Sequence, residues 1–182
     1  MPDELVDIVN ENNELLGIEK MKSEAHADGS WHRCVHVWIY NSRGEVLLQL
    51  RASEKLLYPD RWDLSAAGHV AANEEVELSA LREVEEEIGI KIDKEDLRFL
   101  TITKDHVDFN GMNINEISYV YLCKYDDDIS KLSLQKEEVS EIKFIDIDEI
   151  KKEYNLHPDS FTPIKENWFM VLDAIEELNS RK

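Results

Sequence analysis

The sequence predicts an α+β fold in which a mixed β-sheet lies between helices. Short apolar runs rich in Val and Ile, such as residues 34–40 and 45–51, are typical of strands covered by other layers. Residues 74–88 and 164–175 instead repeat apolar side chains at helical spacing. Strands and helices follow one another without a regular βαβ alternation, so the pattern indicates the α+β class.

Strands are predicted along most of the chain. Residues 4–10 and 15–21 flank the polar turn ENNE and predict an N-terminal hairpin, and a loop is expected over residues 22–30. A second hairpin turns at residues 41–44, and residues 51–71 are interpreted as irregular because proline and glycine interrupt them. The remaining predicted strands are residues 99–109, 115–125 and 141–147.

The helix over residues 74–88 has a recognisable start and end. Asn73 is suited to the N-cap, glutamates fill the first turn, and Gly89 fits the C′ position. Asp146, followed by Glu149, resembles a capping box and predicts a short helix that ends near Tyr154. The last helix is predicted to begin at Thr162-Pro163 and to carry an apolar stripe of Ile164, Trp168, Leu172 and Ile175.

The length of 182 residues suits a single domain, with residues 1–30 as a hairpin and loop and residues 31–182 as the core. No apolar run is long enough to span a bilayer, and the first residues lack the order of a signal peptide, so a cytoplasmic protein is expected. Cys34 and Cys123 lie in apolar segments without metal-ligand spacing, which predicts buried, reduced thiols.

The net charge of −19 limits the partners of this chain. Such an acidic surface repels nucleic-acid backbones and anionic membranes, so neither is expected to bind. It would also repel a phosphorylated substrate. An enzyme of this composition that acts on an anion therefore needs bound cations, local Lys and Arg side chains, or both.

Three glutamates dominate one face of the predicted helix. Glu83, Glu86 and Glu87 stand at positions i, i+3 and i+4, whereas Val84 and Ile88 lie on a different face. Neighbouring like charges destabilise a helix unless a cation compensates them, and Mg²⁺ or Mn²⁺ prefers such oxygen ligands. An acidic helix face is also common as solvated surface, so each glutamate taken alone favours that simpler interpretation.

The whole segment, however, resembles the signature motif of the Nudix hydrolase superfamily, which includes the MutT-like proteins. Agreement by chance at one starting position is on the order of one in 10⁷ from average residue frequencies. The matching positions are Gly68, Glu74, Arg82, Glu83, Val84, Glu86, Glu87, Gly89 and Ile90.

This resemblance implies the Nudix fold, an α/β/α arrangement with a mixed sheet between helices, and a hydrolase that cleaves a diphosphate linkage in a nucleoside diphosphate derivative or a related small molecule. Glu83, Glu86 and Glu87 would bind Mg²⁺ or Mn²⁺ together with the backbone at Gly68, and Glu83 or Glu86 could serve as general base. The base varies within the family, and Glu138 is the reserve candidate. Glu74, Arg82 and Gly89 would have structural roles within the motif.

Similarity to the Nudix proteins related to isopentenyl-diphosphate isomerase extends over residues 5–90. It implies that Arg51 and Lys55 contact the diphosphate, although solvated loop cations are the alternative. It also implies a candidate second metal site. In the isomerase pattern this site includes a further acidic residue, but the matching position in this chain is Ile114. The residues that would form this site are His26, His32, His69 and Glu116.

Isomerase activity itself is disfavoured, because the isomerases need a cysteine where this chain has Ala67. A metabolite sensor without catalytic activity is a further alternative, against which the intact glutamate cluster argues. The substrate cannot be identified from the motif, since specificity comes from other loops. Many relatives dimerise, which makes a homodimer an open option. Residues suited to a specificity pocket are Tyr58, Trp62, His106, Phe109 and Met112.

Overall fold

A long apolar strand, β3 (His32–Tyr40), forms the centre of the sheet in the computed structural model, which describes residues 3–180 apart from the side chain of residue 165. Along one edge it runs parallel to β8 (Met112–Lys124) over its whole length. Along the other edge it pairs antiparallel with three strands in succession. These are β1 (Leu5–Val9), β6 (Ala66–His69) and β4 (Glu45–Arg51).

The outer strands extend the sheet through antiparallel pairs. β2 (Leu15–Met21) adds to β1, and β7 (Leu97–Phe109) adds to β8. β4 also pairs with β5 (Trp62–Asp63) and β9 (Val139–Asp146). Within residues 3–180, β3 and β8 are the one parallel pair of strands among antiparallel pairs, which confirms the predicted mixed sheet.

Helices cover both faces of the sheet. The helix α2 (Val76–Ile88) packs on the face that carries Val35 and Val37. The helices α3 (Ile147–Leu156) and α4 (Lys165–Ser180) pack on the opposite face, where the Trp38 ring meets the Trp168 ring edge-on at 5.0 Å. The predicted α/β/α layering is therefore confirmed.

The segment predicted as a loop over residues 22–30 contains a helix instead. α1 (Lys22–Asp28) ends at Gly29, whose φ of 77° is the left-handed conformation typical of a helix end. Ala25 is fully buried with Val6 and Ile8 of β1. The prediction was wrong because this helix is stabilised by packing on the N-terminal hairpin, which the short polar sequence does not reveal.

The start of α2 also differs from the prediction. Glu75 occupies the N-cap position, while Asn73 lies in the preceding turn with φ 63°. The Asn73 side chain donates to Glu19 of β2 at 2.9 Å and is therefore not available to cap the helix. Gly89 does end α2 in the left-handed conformation, with φ 74° and its N–H bonded to the Glu85 carbonyl.

The two C-terminal helices follow their predictions with one correction. Asp146 caps α3 by accepting from the N–H groups of Asp148 and Glu149 at 2.9 and 3.3 Å. Ile164 does not belong to α4, because its φ of 74° is incompatible with a right-handed helix. The other residues predicted for the apolar stripe are buried in the core, namely Trp168, Leu172 and Ile175.

Residues 51–71 are more ordered than predicted, since β5 and β6 both lie within them. β6 is built from small residues and its backbone pairs closely with β3, which the loop-like composition conceals. Cys34 and Cys123 are buried free thiols, as predicted. Within residues 3–180, none of the helices combines the length and apolarity needed to cross a lipid bilayer. The predicted domain limits, residues 1 and 182, lie outside the described range.

Candidate active site

A cavity of about 640 Å³ opens beside β6, between one face of the sheet, the loop after β4 and the start of α4. Side chains that alternate along the central strands point into it, because every second residue of a strand faces the same side. On β3 these are Cys34, His36 and Trp38. The apolar part of the wall includes Leu64, Val107, Ile114, Val120, Ile164, Trp168 and Val171.

The motif glutamates approach the edge of this cavity from α2. Glu83 is 3% exposed and its carboxylate lies directly against Gly68, one of the lining residues. Glu87 is 5% exposed and accepts from the backbone N–H of Ala67 and from the Gln49 amide, each at 3.1 Å. Glu86 is exposed. The predicted shared face therefore presents two buried carboxylates and one solvent-accessible carboxylate.

Arg82 holds this cluster together. Its guanidinium donates to Glu83 at 2.6 Å, to Glu74 at 3.1 Å and to the carbonyl oxygen of His69 at 3.1 Å. Burial acts to lower the pKa of Arg82, but its bonds to Glu74 and Glu83 outweigh burial and raise it. That Glu74 and Arg82 orient the other glutamates stays a prediction.

The two buried glutamates retain protons more strongly than free carboxyl groups. Burial, reinforced by the neighbouring Glu83, raises the pKa of Glu87 to about 8. Burial also raises the pKa of Glu83, although Arg82 opposes that effect. Buried oxygen donors next to a backbone that only glycine allows to approach fit a hard divalent cation.

The three carboxylates of α2 do not converge on one point. Arg82 also contacts Glu86 at 3.4 Å and so lies between Glu83 and Glu86, while Glu87 turns towards Ala67. Within residues 3–180, the group whose ligand atoms do converge is a different one. It consists of His26, His32, His69 and Glu116, whose donor atoms all lie within 4.8 Å of one another.

Four elements build this histidine cluster. His26 comes from α1, His32 from β3, His69 from β6 and Glu116 from β8. The Nε2 atoms of His26 and His32 are 3.2 Å apart, and His69 Nε2 lies 3.3 Å from the Glu116 carboxylate. Three imidazoles and one carboxylate are a donor set suited to a divalent transition metal. Ile114, which replaces the acidic residue of the isomerase pattern, is buried in the cavity wall.

The cluster is also a strongly coupled set of charges. Burial, with the adjacent His69 and His32, lowers the pKa of His26 to about 4. Burial alone would raise the pKa of Glu116, but hydrogen bonds from His32 and His69 hold it well below the usual range. Burial likewise acts to lower the pKa of His32, which its contacts with Cys34 and Glu116 raise to about 9.

The two cations predicted to bind a diphosphate both line the cavity, and each already has an acidic partner. Arg51 donates to Asp63 at 2.7 Å and to the Leu57 carbonyl at 2.9 and 3.1 Å. Lys55 forms an ion pair with Glu138, the reserve candidate for general base. Glu138 is itself buried at 4% exposure in the cavity wall.

The expected specificity residues are only partly brought together. Tyr58 and Met112 line the cavity, whereas Trp62, His106 and Phe109 do not. The polar wall residues that the sequence did not predict include Asp105 of β7 and Asn167 of α4, which hydrogen-bond to each other at 2.8 Å. The only signal for Asp105 is its place between Thr103 and Val107 in an alternating strand.

Comparisons with known proteins agree with this architecture. Residues 30–166 match the family described as the NUDIX domain. A protein named Nudix hydrolase 3 from Arabidopsis thaliana is 36% identical over 172 residues, which cover 92% of this chain and 22% of that much longer protein. An uncharacterized Nudix hydrolase from Listeria monocytogenes is 37% identical over 80% of this chain and 81% of its own length.

One relative carries the isomerase name. The isopentenyl-diphosphate Delta-isomerase of Pectobacterium atrosepticum is 34% identical over 96% of this chain and 92% of its own length. Among solved structures, a protein of Deinococcus radiodurans superposes with a TM-score of 0.69 at 17% identity, covering 96% of this chain and 98% of its own, and so supports the fold alone.

Together with the complete motif on α2, these matches establish that the chain belongs to the Nudix family, as a Nudix pyrophosphohydrolase that resembles the isomerase-related branch.

Proposed function

We propose that this protein hydrolyses a diphosphate linkage in a small molecule, with Mg²⁺ or Mn²⁺ held by the glutamates of α2. The observation that carries the proposal is the contact between Glu83 and Gly68 at the edge of the cavity. It brings a buried carboxylate against the backbone of β6, a strand that lines the cavity. A nucleoside diphosphate derivative or a related diphosphate is the expected substrate.

Each glutamate has a distinct part in this proposal. Glu83, Glu86 and Glu87 would bind the metal together with the backbone at Gly68, and the bound cation would neutralise the diphosphate and polarise phosphorus. Glu86 is the exposed member, which suits it to accept a proton from the attacking water. Glu83 is the second candidate for that role. Water then adds to phosphorus, and the bond to the bridging oxygen breaks.

Glu138 remains the alternative general base. It lies in the cavity wall and is paired with Lys55, so a phosphate group that attracts Lys55 would free the carboxylate. Arg51 and Lys55 would bind the diphosphate, and both would exchange an internal acidic partner for a substrate oxygen. Each cation would therefore keep a charge-assisted hydrogen bond, made to the substrate instead of to its acidic partner.

The class of partner is expected from charge. The net charge of −19 favours a small-molecule substrate over a nucleic acid or an anionic membrane. We expect a cytoplasmic protein, either as a monomer or as a homodimer.

The test is phosphate release from a panel of nucleoside diphosphates, nucleotide sugars, dinucleotides and prenyl diphosphates in Mg²⁺, Mn²⁺ or EDTA. A coupled phosphatase or pyrophosphatase would be added where the product requires it. We expect metal-dependent turnover of one substrate class. Glu86→Gln should reduce it by several orders of magnitude while melting within a few degrees of the wild type.

The matched control is Glu85→Gln, because Glu85 is exposed on the same helix and forms an ion pair with Lys91, just beyond the helix end. That variant should retain near-wild-type turnover. Equal activity of the Glu86 and Glu85 variants would reject the glutamate cluster as the active site. A folded protein that binds metal and its ligand but turns over nothing would instead support a sensor.

A second candidate function is the allylic isomerisation of a prenyl diphosphate, which the histidine cluster favours because the isomerases bind a metal at the matching positions. Ala67, which lines the cavity, cannot transfer a proton. The only cysteine in the wall is Cys34, whose register partner on β6 is His69 rather than Ala67. Deuterium incorporation from D₂O into isopentenyl diphosphate would support isomerisation, and its absence would leave hydrolysis.

A further inference from the structure

The cavity wall also contains a buried carboxylate that the proposed hydrolysis does not use. Asp105 is 6% exposed and lines the cavity from β7. Its register partner on β8 is Glu116, but the histidines surround Glu116 and leave Asp105 outside their cluster. Asp105 therefore needs an explanation separate from the candidate metal site.

Neutral groups hold this carboxylate in place. One oxygen accepts from the Asn167 amide at 2.8 Å, and the other accepts from the hydroxyls of Ser118 at 3.0 Å and Thr103 at 3.4 Å. Among the described side chains, which do not include that of residue 165, no lysine, arginine or histidine lies within ion-pair distance of Asp105. Burying a carboxylate without a cation is unfavourable, and neutral donors compensate it only in part.

Asn167 adds a second acceptor to the same wall. Because its NH₂ group must face the Asp105 carboxylate, its carbonyl oxygen points elsewhere. Within residues 3–180, leaving aside the side chain of residue 165, no donor bonds to that oxygen. Each Asp105 oxygen also retains capacity for a further donor. The wall thus offers acceptors at two neighbouring positions.

The surroundings of these acceptors are apolar. Val107, Ile114 and Trp168 line the cavity around them, and Val120 and Val171 continue the same surface. A hydrocarbon group would gain from these contacts, but it would strip the remaining water from Asp105 and supply no donor in return. A site with buried polar groups discriminates strongly against ligands that leave those groups unpaired.

We propose that Asp105, positioned by Asn167, is a specificity-determining residue that selects diphosphates whose organic group carries an N–H or O–H donor. This inference rests on the proposed hydrolase function and narrows its substrate class. A nucleobase or a hydroxylated group fits the wall, because an apolar body would contact Trp168 and Ile114 while a donor binds Asp105. A diphosphate with a plain hydrocarbon chain is excluded as the preferred substrate.

The test compares donor-bearing and donor-free diphosphates on the same protein. The donor-bearing set is ADP, GDP, UDP and CDP, and the donor-free set is dimethylallyl and geranyl diphosphate. We expect the best donor-bearing substrate to exceed the best donor-free one in kcat/KM by at least 100-fold. In Asp105→Asn, which places an amide donor in the wall, this ratio should fall at least tenfold.

The matched control is Asp108→Asn, because Asp108 is an exposed carboxylate on the same strand and lies outside the cavity. In this variant, the ratio of kcat/KM between donor-bearing and donor-free substrates should equal that of the wild type. A purely structural role of Asp105 would lower the melting temperature and reduce both substrate sets equally, which would overturn the proposal. A wild-type preference for the donor-free set would also overturn it.

Direct binding separates this inference from the hydrolase proposal. Isothermal titration calorimetry with the methylene analogue of ADP, in which a carbon bridge replaces the cleavable oxygen, measures affinity without turnover. If no diphosphate is hydrolysed, a tenfold loss of affinity in Asp105→Asn but not in Asp108→Asn would still support Asp105 as the residue that recognises a ligand donor. Equal affinity of wild type and Asp105→Asn for the analogue would reject it even in an active hydrolase.

Discussion

Gly68 and Glu83 lie so close that a Cβ atom at position 68 would overlap the carboxylate carbon and both carboxylate oxygens of Glu83. Gly68 needs no unusual backbone angle, because its φ lies outside the left-handed region. Position 68 therefore requires glycine because there is no room for a side chain. The strand β6 and the helix α2 can meet at this distance only when position 68 has no side chain.

Gly68→Ala should displace the Glu83 carboxylate and separate β6 from α2. We expect turnover to fall by at least 100-fold, and stability to fall by about 1–3 kcal/mol from overpacking. Steady-state kinetics and urea unfolding measure the two effects. Gly44→Ala is a useful comparison for unfolding, because no atom lies within 4 Å of the added Cβ there and only the positive φ is strained. Wild-type activity in Gly68→Ala would show that Glu83 need not contact β6.

Glu87 should make the metal-free protein less stable as the pH rises. Its pKa is raised by burial to about 8 in the folded state, so the folded protein binds more protons than the unfolded chain between about pH 4.5 and pH 8. The free energy of unfolding therefore decreases with pH across this window, by at most about 1.4 kcal/mol per pH unit for one proton. Below the window the carboxyl group is protonated in both states, and this dependence disappears.

Glu87→Gln removes the titrating group and keeps its shape. Urea unfolding of wild type and variant in EDTA, between pH 4.5 and 8.5, should show that the variant lacks this part of the pH dependence. At pH 8.5 the variant should be the more stable protein. If the free energy of unfolding changed with pH equally in both proteins, the pH dependence could not be assigned to Glu87.

Arg51→Ala should mainly weaken substrate binding. If Arg51 binds the diphosphate equally in the ground state and the transition state, KM rises by about tenfold or more while kcat changes little. Stability should also decrease by about 1–3 kcal/mol, because the buried Asp63 loses its cationic partner. Arg98→Ala, at an exposed position on β7, is the control. An unchanged KM would limit Arg51 to anchoring the loop through Leu57.

His69→Ala should remove one bound metal ion per chain from the histidine cluster. The wild type and the variant would be equilibrated with Mn²⁺, desalted, and assayed for metal by atomic spectroscopy. His157→Ala is the control, because His157 is exposed and distant from the cluster in the fold. Equal metal content in all three proteins would show that the cluster is a hydrogen-bonded group without a metal.

The two metal-ligand groups differ in how far the sequence reveals them. Glu83, Glu86 and Glu87 are close in sequence, so helical periodicity alone places them together. The cluster of His26, His32, His69 and Glu116 is assembled from four elements, and only a resemblance to relatives pointed to it. Asp105 and Asn167 are 62 residues apart and contact each other across β7 and α4, which no local pattern reports.

The sequence by itself determined the α+β class, the strands of the two hairpins, the family motif and the end of α2 at Gly89. These features depend on periodicity, on residue spacing or on backbone conformations that few residues adopt, and all three are local properties. Tertiary structure decided that residues 22–28 form α1, that α2 begins after Asn73, and that Ile164 precedes α4. It also decided that Glu83 and Glu87 are buried while Glu86 is exposed, because burial depends on which elements pack across the sheet rather than on the order of residues along the chain.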